Sequence, residues 1–142
     1  MNNKTAEFPS MKTLKWFFLL IDLSFILYFG STALRLIPPE YAFSDYQNPI
    51  VVAWNWSFFP LDMVISATGL AAVYLYKKRH PYWMPFAFIS LVLTCCSGLM
   101  ALSFWAIRLE FDLMWWLPNL FLMIYPLFFI PAFIKRPSQH RF

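Results

Sequence analysis

Two aspartates stand inside stretches that otherwise hold almost no charge, and any chemistry of this chain starts with them. Asp22 interrupts the apolar run from Leu14 to Ile37, and Asp62 interrupts the run from Pro49 to Tyr76. An acid in hydrocarbon costs about 2.5–3.5 kcal/mol when ionised near the midplane, so such residues are rare and often serve function. Asp22 can act as a proton or cation site, or as an anchor for the polar end of a ligand. Its structural alternative is a hydrogen bond to Ser, Thr or Asn on a neighbouring helix. Asp62 follows Pro60 by two residues, where an acid favourably meets the free N–H groups of a renewed helix start. At 1.5 Å per residue, Asp22 lies about 12 Å from Leu14 and Asp62 about 21 Å from Tyr76. The resulting depth gap of about 9 Å is too wide for a shared-proton pair in straight helices. Asn119 is the third polar candidate for the same ligand or proton site.

Arg35, Arg108, Trp105 and Trp115 fall near one end of the apolar runs, with Asn55 and Trp116 at a similar level. They are candidates for the outer rim of a cavity that includes Asp62. An aromatic belt with two arginines reaching the interface accounts for the same residues without a ligand. Arg108 has Asp112 four residues on, which allows a local ion pair if the helix continues that far. Cys95 and Cys96 are adjacent, hence about 100° apart on a helix, and make no C-x-x-C pair. They are expected as small buried filler. His80 and His140 have no second ligand at metal-binding spacing, so no metal and no cofactor is expected. The chain holds no H-E-x-x-H, no phosphate loop and no G-x-S-x-G, so no catalytic residue is assigned.

The elements that must position these residues are four long apolar runs, about 14–37, 49–76, 83–107 and 113–134. A helix needs roughly 20 apolar residues to cross a ~30 Å hydrocarbon core. Hydrophobic residues make up 61% of the 142 and charged residues 13%, against about 25% charged in soluble domains. The expected fold is therefore all-α, a single domain over 1–142 built as a four-transmembrane-helix bundle. Pro60 predicts a kink in the second helix, and Pro118, Pro126 and Pro131 predict kinks in the fourth. Ser90, Thr94, Ser97, Gly98 and Ala101 recur at three- and four-residue spacings, the pattern of a close-packing seam. The first helix is expected to begin near Ser10 or Thr13 and to end before Pro38-Pro39, with Asn48 capping the second. It is read as a retained span and not a cleaved signal, since its run is long and Asp22 interrupts it.

Charge sets the orientation. Lys4, Lys12 and Lys15 precede the first run, Lys77, Lys78 and Arg79 fill the second loop, and Lys135, Arg136 and Arg141 follow the last. By the positive-inside rule both termini are cytoplasmic. The formal charge of +4 thus reflects topology and predicts no nucleic-acid partner, because no basic face carries exposed aromatics. The expected partners are the lipid bilayer and a second copy or another membrane protein.

The stretch SFWAIRLEFDLMWWLPNLFLMIYPLFFIP from Ser103 to Pro131, together with FPLDMVISATGLAAVYLYKKRHPYW from Phe59 to Trp83, resembles the YvaD-like family of small uncharacterised bacterial membrane proteins. The resemblance implies four helices in a bacterial cytoplasmic membrane, and it transfers no activity and no site residues. Small multidrug-resistance transporters and the emopamil-binding family are similar in architecture alone. The leading expectation is a non-enzymatic protein that binds a hydrophobic ligand or partner helices within the bilayer. The alternative is a proton-coupled small-molecule exporter acting as a homodimer, and a third reading is a purely structural subunit.

Overall fold

The computed structural model describes residues 11–42 and 44–135. It comprises α1 (Met11–Ala33), a short α2 (Pro39–Ala42), α3 (Pro49–Lys77), α4 (Trp83–Ile107) and α5 (Leu113–Ile134), with no strand among the described residues. The four long helices are each long and apolar enough to cross a membrane. Ser10 as a helix cap, Lys4, Arg136, His140 and Arg141 lie outside the described residues.

The helices are apolar on nearly every side, which in water would leave an unmanageable exposed surface. Leu27, Leu113, Leu117 and Phe128 all face outward, Phe128 at 77% exposure. Polar side chains on these helices bond to backbone one turn back: Ser24 to the Leu20 carbonyl, Thr32 to Tyr28, Thr68 to Val64 and Ser103 to Leu99. Such back-bonding satisfies a hydroxyl where no water is available. Cys96, expected as buried filler, is exposed, whereas the Cys95 thiol meets the Met123 carbonyl at 3.2 Å.

The helix ends follow one rule that the composition conceals. At the end of α1, Arg35 has φ 55°. The Arg35 N–H donates to Thr32 and the Leu36 N–H donates to Ser31. This is the double bond pattern of a Schellman cap, which puts one residue in the left-handed region. It repeats at Arg79 after α3 and at Leu109 after α4, with φ 54° and 58°. Here the His80 N–H donates to Leu75 and the Glu110 N–H donates to Trp105. The chain's three glycines, Gly30, Gly69 and Gly98, all lie inside helices, so side-chain-bearing residues take positions where glycine is usual. The cap ends α1 at Ala33, four residues short of the Ile37 expected from hydropathy. At the other ends Asn48 accepts from the Ile50 N–H and Asp112 from the Met114 N–H, at 3.0 and 2.8 Å.

Each long helix packs on its neighbour in sequence: α1 on α3, α3 on α4, and α4 on α5. The α1–α5 seam is closed at one end by aromatic rings. Phe17 stacks on Tyr125 at 5.0 Å and on Phe121 at 6.0 Å, and meets Phe129 edge-on at 5.5 Å. The small-residue stripe of α4 serves both its partners. Ser90 donates to the Ile65 carbonyl of α3, while a Cβ at Gly98 would stand 2.6 Å from the Asn119 carbonyl oxygen and 2.7 Å from the Met123 nitrogen of α5. α3 runs through Pro60, and α5 through Pro118, Pro126 and Pro131.

Gly98→Ala should therefore lower stability by about 1–3 kcal/mol, since backbone atoms of α5 cannot step aside as a flexible side chain would. Gly30→Ala, with nothing within 4 Å of the new Cβ, should be neutral or stabilising by up to about 1 kcal/mol. Thermal unfolding in detergent distinguishes the two, and equal losses would contradict this packing.

Candidate functional site

A cavity of about 480 Å³ opens between the four long helices at the end that carries Arg108. α1 contributes Leu20, Ile21, Ser24, Phe25, Tyr28 and Phe29, and the other three helices contribute side chains at the levels of Trp54 and Asp62, Ser97 and Trp105, and Trp115 and Leu122. The stacked rings of Phe17, Phe121 and Tyr125 close the α1–α5 seam beneath it, and Phe121 also lines the cavity.

Asp62 sits in this wall and is 5% exposed. The Ser97 hydroxyl donates to its Oδ1 at 3.0 Å. That bond explains why the α4 stripe turns a serine toward α3 at this level. Beside it, the Tyr28 hydroxyl donates to Asn55 Oδ1 at 2.9 Å, and Tyr28 lies within electrostatic range of Asp62. Asn55 Nδ2 is buried without a hydrogen-bond partner. Asn119 also lines the cavity and donates one amide hydrogen to the Trp115 carbonyl at 2.7 Å. Trp105, 3% exposed, stands edge-on to Trp54 at 5.4 Å, and Trp54 stacks on Phe104 at 3.9 Å.

Asp22 is elsewhere. It is fully buried between α1 and α3, outside the cavity lining, and its carboxyl group fills the space that a Cβ at Gly69 would take. Neither carboxyl oxygen has a hydrogen-bond partner. The hydroxyl that reaches this level, Ser66, donates to the Asp22 backbone carbonyl at 3.1 Å and not to its side chain. Tyr125 comes near Asp22 and Thr94, but the Thr94 hydroxyl is already donated to the Ser90 carbonyl at 2.7 Å. Asp22 thus lies level with Ser66 and Gly69, four to seven residues along α3 from Asp62. At 1.5 Å per residue that is about 6–10 Å, and the two acids do not share a site.

The structure separates the four rim candidates. Trp105 and Trp115 line the cavity, whereas Arg35 and Arg108 do not. Arg35 is exposed in the turn after α1. Arg108 does not pair with Asp112, because α4 has ended and Asp112 caps α5. Instead its guanidinium reaches Asp45 at 2.8 Å and Glu110 at 2.7 Å, and it lies over the Phe104 and Trp105 rings. This ties the segment after α2 to the α4–α5 turn above the cavity. Among the described residues no group of three or more His, Cys, Asp or Glu is placed to hold a metal ion. Tyr28 and Ser97 were not singled out as site residues on sequence grounds. The available signal was Tyr28 itself, since a tyrosine buried in a span must find a partner for its hydroxyl.

With this geometry in hand, the comparisons with known proteins are direct. The profile of a family of unknown function (DUF5360) matches residues 14–140. The chain belongs to that family. It is also 54% identical over 125 residues to the uncharacterized protein YvaD of Bacillus subtilis (strain 168), covering 88% of this chain and 94% of that one. No solved structure matches the chain. The family assignment and the all-helical fold agree with the resemblance carried by the two quoted stretches.

Two outcomes follow from the site. Asp45 is held below its ordinary value of 3.8 by the Asn48 amide and the Arg108 guanidinium that donate to it. An acid lowered on folding lends stability that is full above its ordinary value and lost as pH falls through the lowered one. The protection of amides 44–48, taken as exchange relative to the intrinsic rate at each pH, should therefore hold from pH 7 to about 5 and fall only below about 4. In Arg108→Gln the loop should exchange faster at neutral pH, and an unchanged rate would show the pair to be idle. At Asp22 no side-chain hydrogen bond exists to lose, so Asp22→Asn should keep stability within about 1 kcal/mol of wild type or raise it. A loss of 3 kcal/mol or more, roughly the cost of stripping a buried partner from its mate, would reveal an interaction absent from this arrangement.

Proposed function

We propose that this protein is a multi-pass protein of the bacterial cytoplasmic membrane that holds a hydrophobic small molecule in the cavity at its Arg108 end. It performs no chemistry on that molecule. Both termini face the cytoplasm, because the lysine-rich α3–α4 turn and the charges flanking α1 and α5 belong on the side retained by the positive-inside rule. The Arg108 end is then the outer one. Pro118 lines the cavity, and Pro60 stands in α3 two residues before Asp62.

The observation that carries this reading is the make-up of the wall: mostly aliphatic and aromatic side chains around a few convergent polar groups. Ligand sites have that composition, and volumes of about 300–1,000 Å³. A structural subunit has no use for a cavity into which Asp62 and Asn119 are turned. A partner helix is the wrong shape for a space enclosed by all four helices. The exporter alternative draws its proton from Asp22, which stands outside the lining, so the binding reading uses the residues that are brought together.

N-phenyl-1-naphthylamine, a neutral apolar dye, tests it. Nanodiscs holding the protein should show a saturable rise in dye fluorescence above protein-free discs. Ala101→Phe, which fills the cavity from α4, should remove most of that component while the thermal transition remains. Indistinguishable titrations of loaded and empty discs would refute the reading.

A further inference from the structure

The wall of the cavity holds one ionisable acid, Asp62, and no lysine, arginine or histidine. The one charged side chain there is an acid, and the one unpaired donor, Asn55 Nδ2, can serve an acceptor on the same ligand. The Ser97 hydroxyl occupies Asp62 Oδ1, and Asp62 itself lines the cavity. Asn119 spends an amide hydrogen on the Trp115 carbonyl and presents its own carbonyl oxygen as an acceptor. Trp54, Trp105 and Tyr28 add aromatic lining, and although Phe104 covers one face of Trp54 and Arg108 lies over Trp105, such rings attract cations most strongly where water is excluded.

An anionic ligand would bring a second negative charge beside Asp62 with no cation in the wall to offset it, and repulsion grows as the effective dielectric falls. A neutral ligand would leave the acid unmatched. We propose that the molecule bound here is a lipophilic cation: an ammonium group at Asp62 within the aromatic ring of walls, with its apolar body lying between α1 and α5. This rests on the ligand-binding reading above and adds the ligand's charge to it. The ammonium can belong to a free amine or to the headgroup of a lipid.

Three probes with the same ten-carbon chain separate charge from apolarity: decylammonium, decanol and decanoate. Each is titrated into the full-length protein in phosphatidylcholine nanodiscs, with tryptophan fluorescence as readout and protein-free discs as the partitioning baseline. Decylammonium should bind saturably and about tenfold or more tighter than decanol, with decanoate weakest, as expected for a charge-assisted bond joined to cation–ring contacts. Asp62→Asn should bring decylammonium down to the decanol level. Because the wild-type series alone gives the order, the inference stands or falls even if that variant does not fold. Equal binding of decylammonium and decanol to wild type overturns the cationic ligand and leaves a simple apolar pocket. No saturable binding of any of the three overturns the pocket as well. Displacement of decylammonium by phosphatidylethanolamine added to the discs assigns the ammonium to a lipid headgroup, and its absence assigns it to a free amine.

Discussion

Hydrocarbon offers no hydrogen bond, and a helix standing in it must satisfy its polar groups from within the protein. The hydroxyls of Ser24, Thr32, Thr68 and Ser103 turn back onto their own helices for this reason. Ser66, Ser90 and Ser97 turn instead across to a neighbouring helix. In water the apolar outer faces would drive the bundle together, but in lipid that drive is absent and close contact must do the work. Gly98 lets the α5 backbone approach α4, and Gly69 gives the Asp22 carboxyl its place against α3. The bundle is held by fit and by a few cross-helix bonds.

Under that constraint a polar group left facing open space is informative. Asp62 and Asn119 meet that description, since they border a cavity and not a packed interface. Asp22 is the opposite case: enclosed on every side, it borders no cavity and its side chain makes no hydrogen bond. Two acids with similar surroundings in the sequence thus differ in kind. One belongs to the packed interior of α1 and α3, and the other to a space that can receive a ligand. The Arg108 cluster above that space joins Asp45 to Glu110, so the segment after α2 is anchored over the same end of the bundle.

Much of the fold was legible because the cues were local. Asn48-Pro49 marks the start of α3, and the apolar runs 83–107 and 113–134 mark α4 and α5. The end of α1 was not legible, because its cap places Arg35 in a left-handed conformation that sequence reasoning reserves for glycine. For the same reason the Arg108–Asp112 pair did not form: the cap at Leu109 ends the helix first. The site was half legible. Depth counting separated Asp22 from Asp62 by about the distance observed, yet it could not say which faced a cavity, since helix rotation depends on neighbours. Cross-helix partners such as Ser97 for Asp62 and Tyr28 for Asn55 are settled only when the helices are assembled.

The measurement that bears most directly on this account is two-sided cysteine labelling in intact bacteria, with Cys95 and Cys96 replaced by alanine. Asp45→Cys should react with a membrane-impermeant maleimide added outside, and Lys78→Cys should react only after the membrane is opened. Labelling of both positions from outside, or recovery of the protein in the aqueous fraction without detergent, would contradict a bundle that lies in lipid with its cavity facing outward.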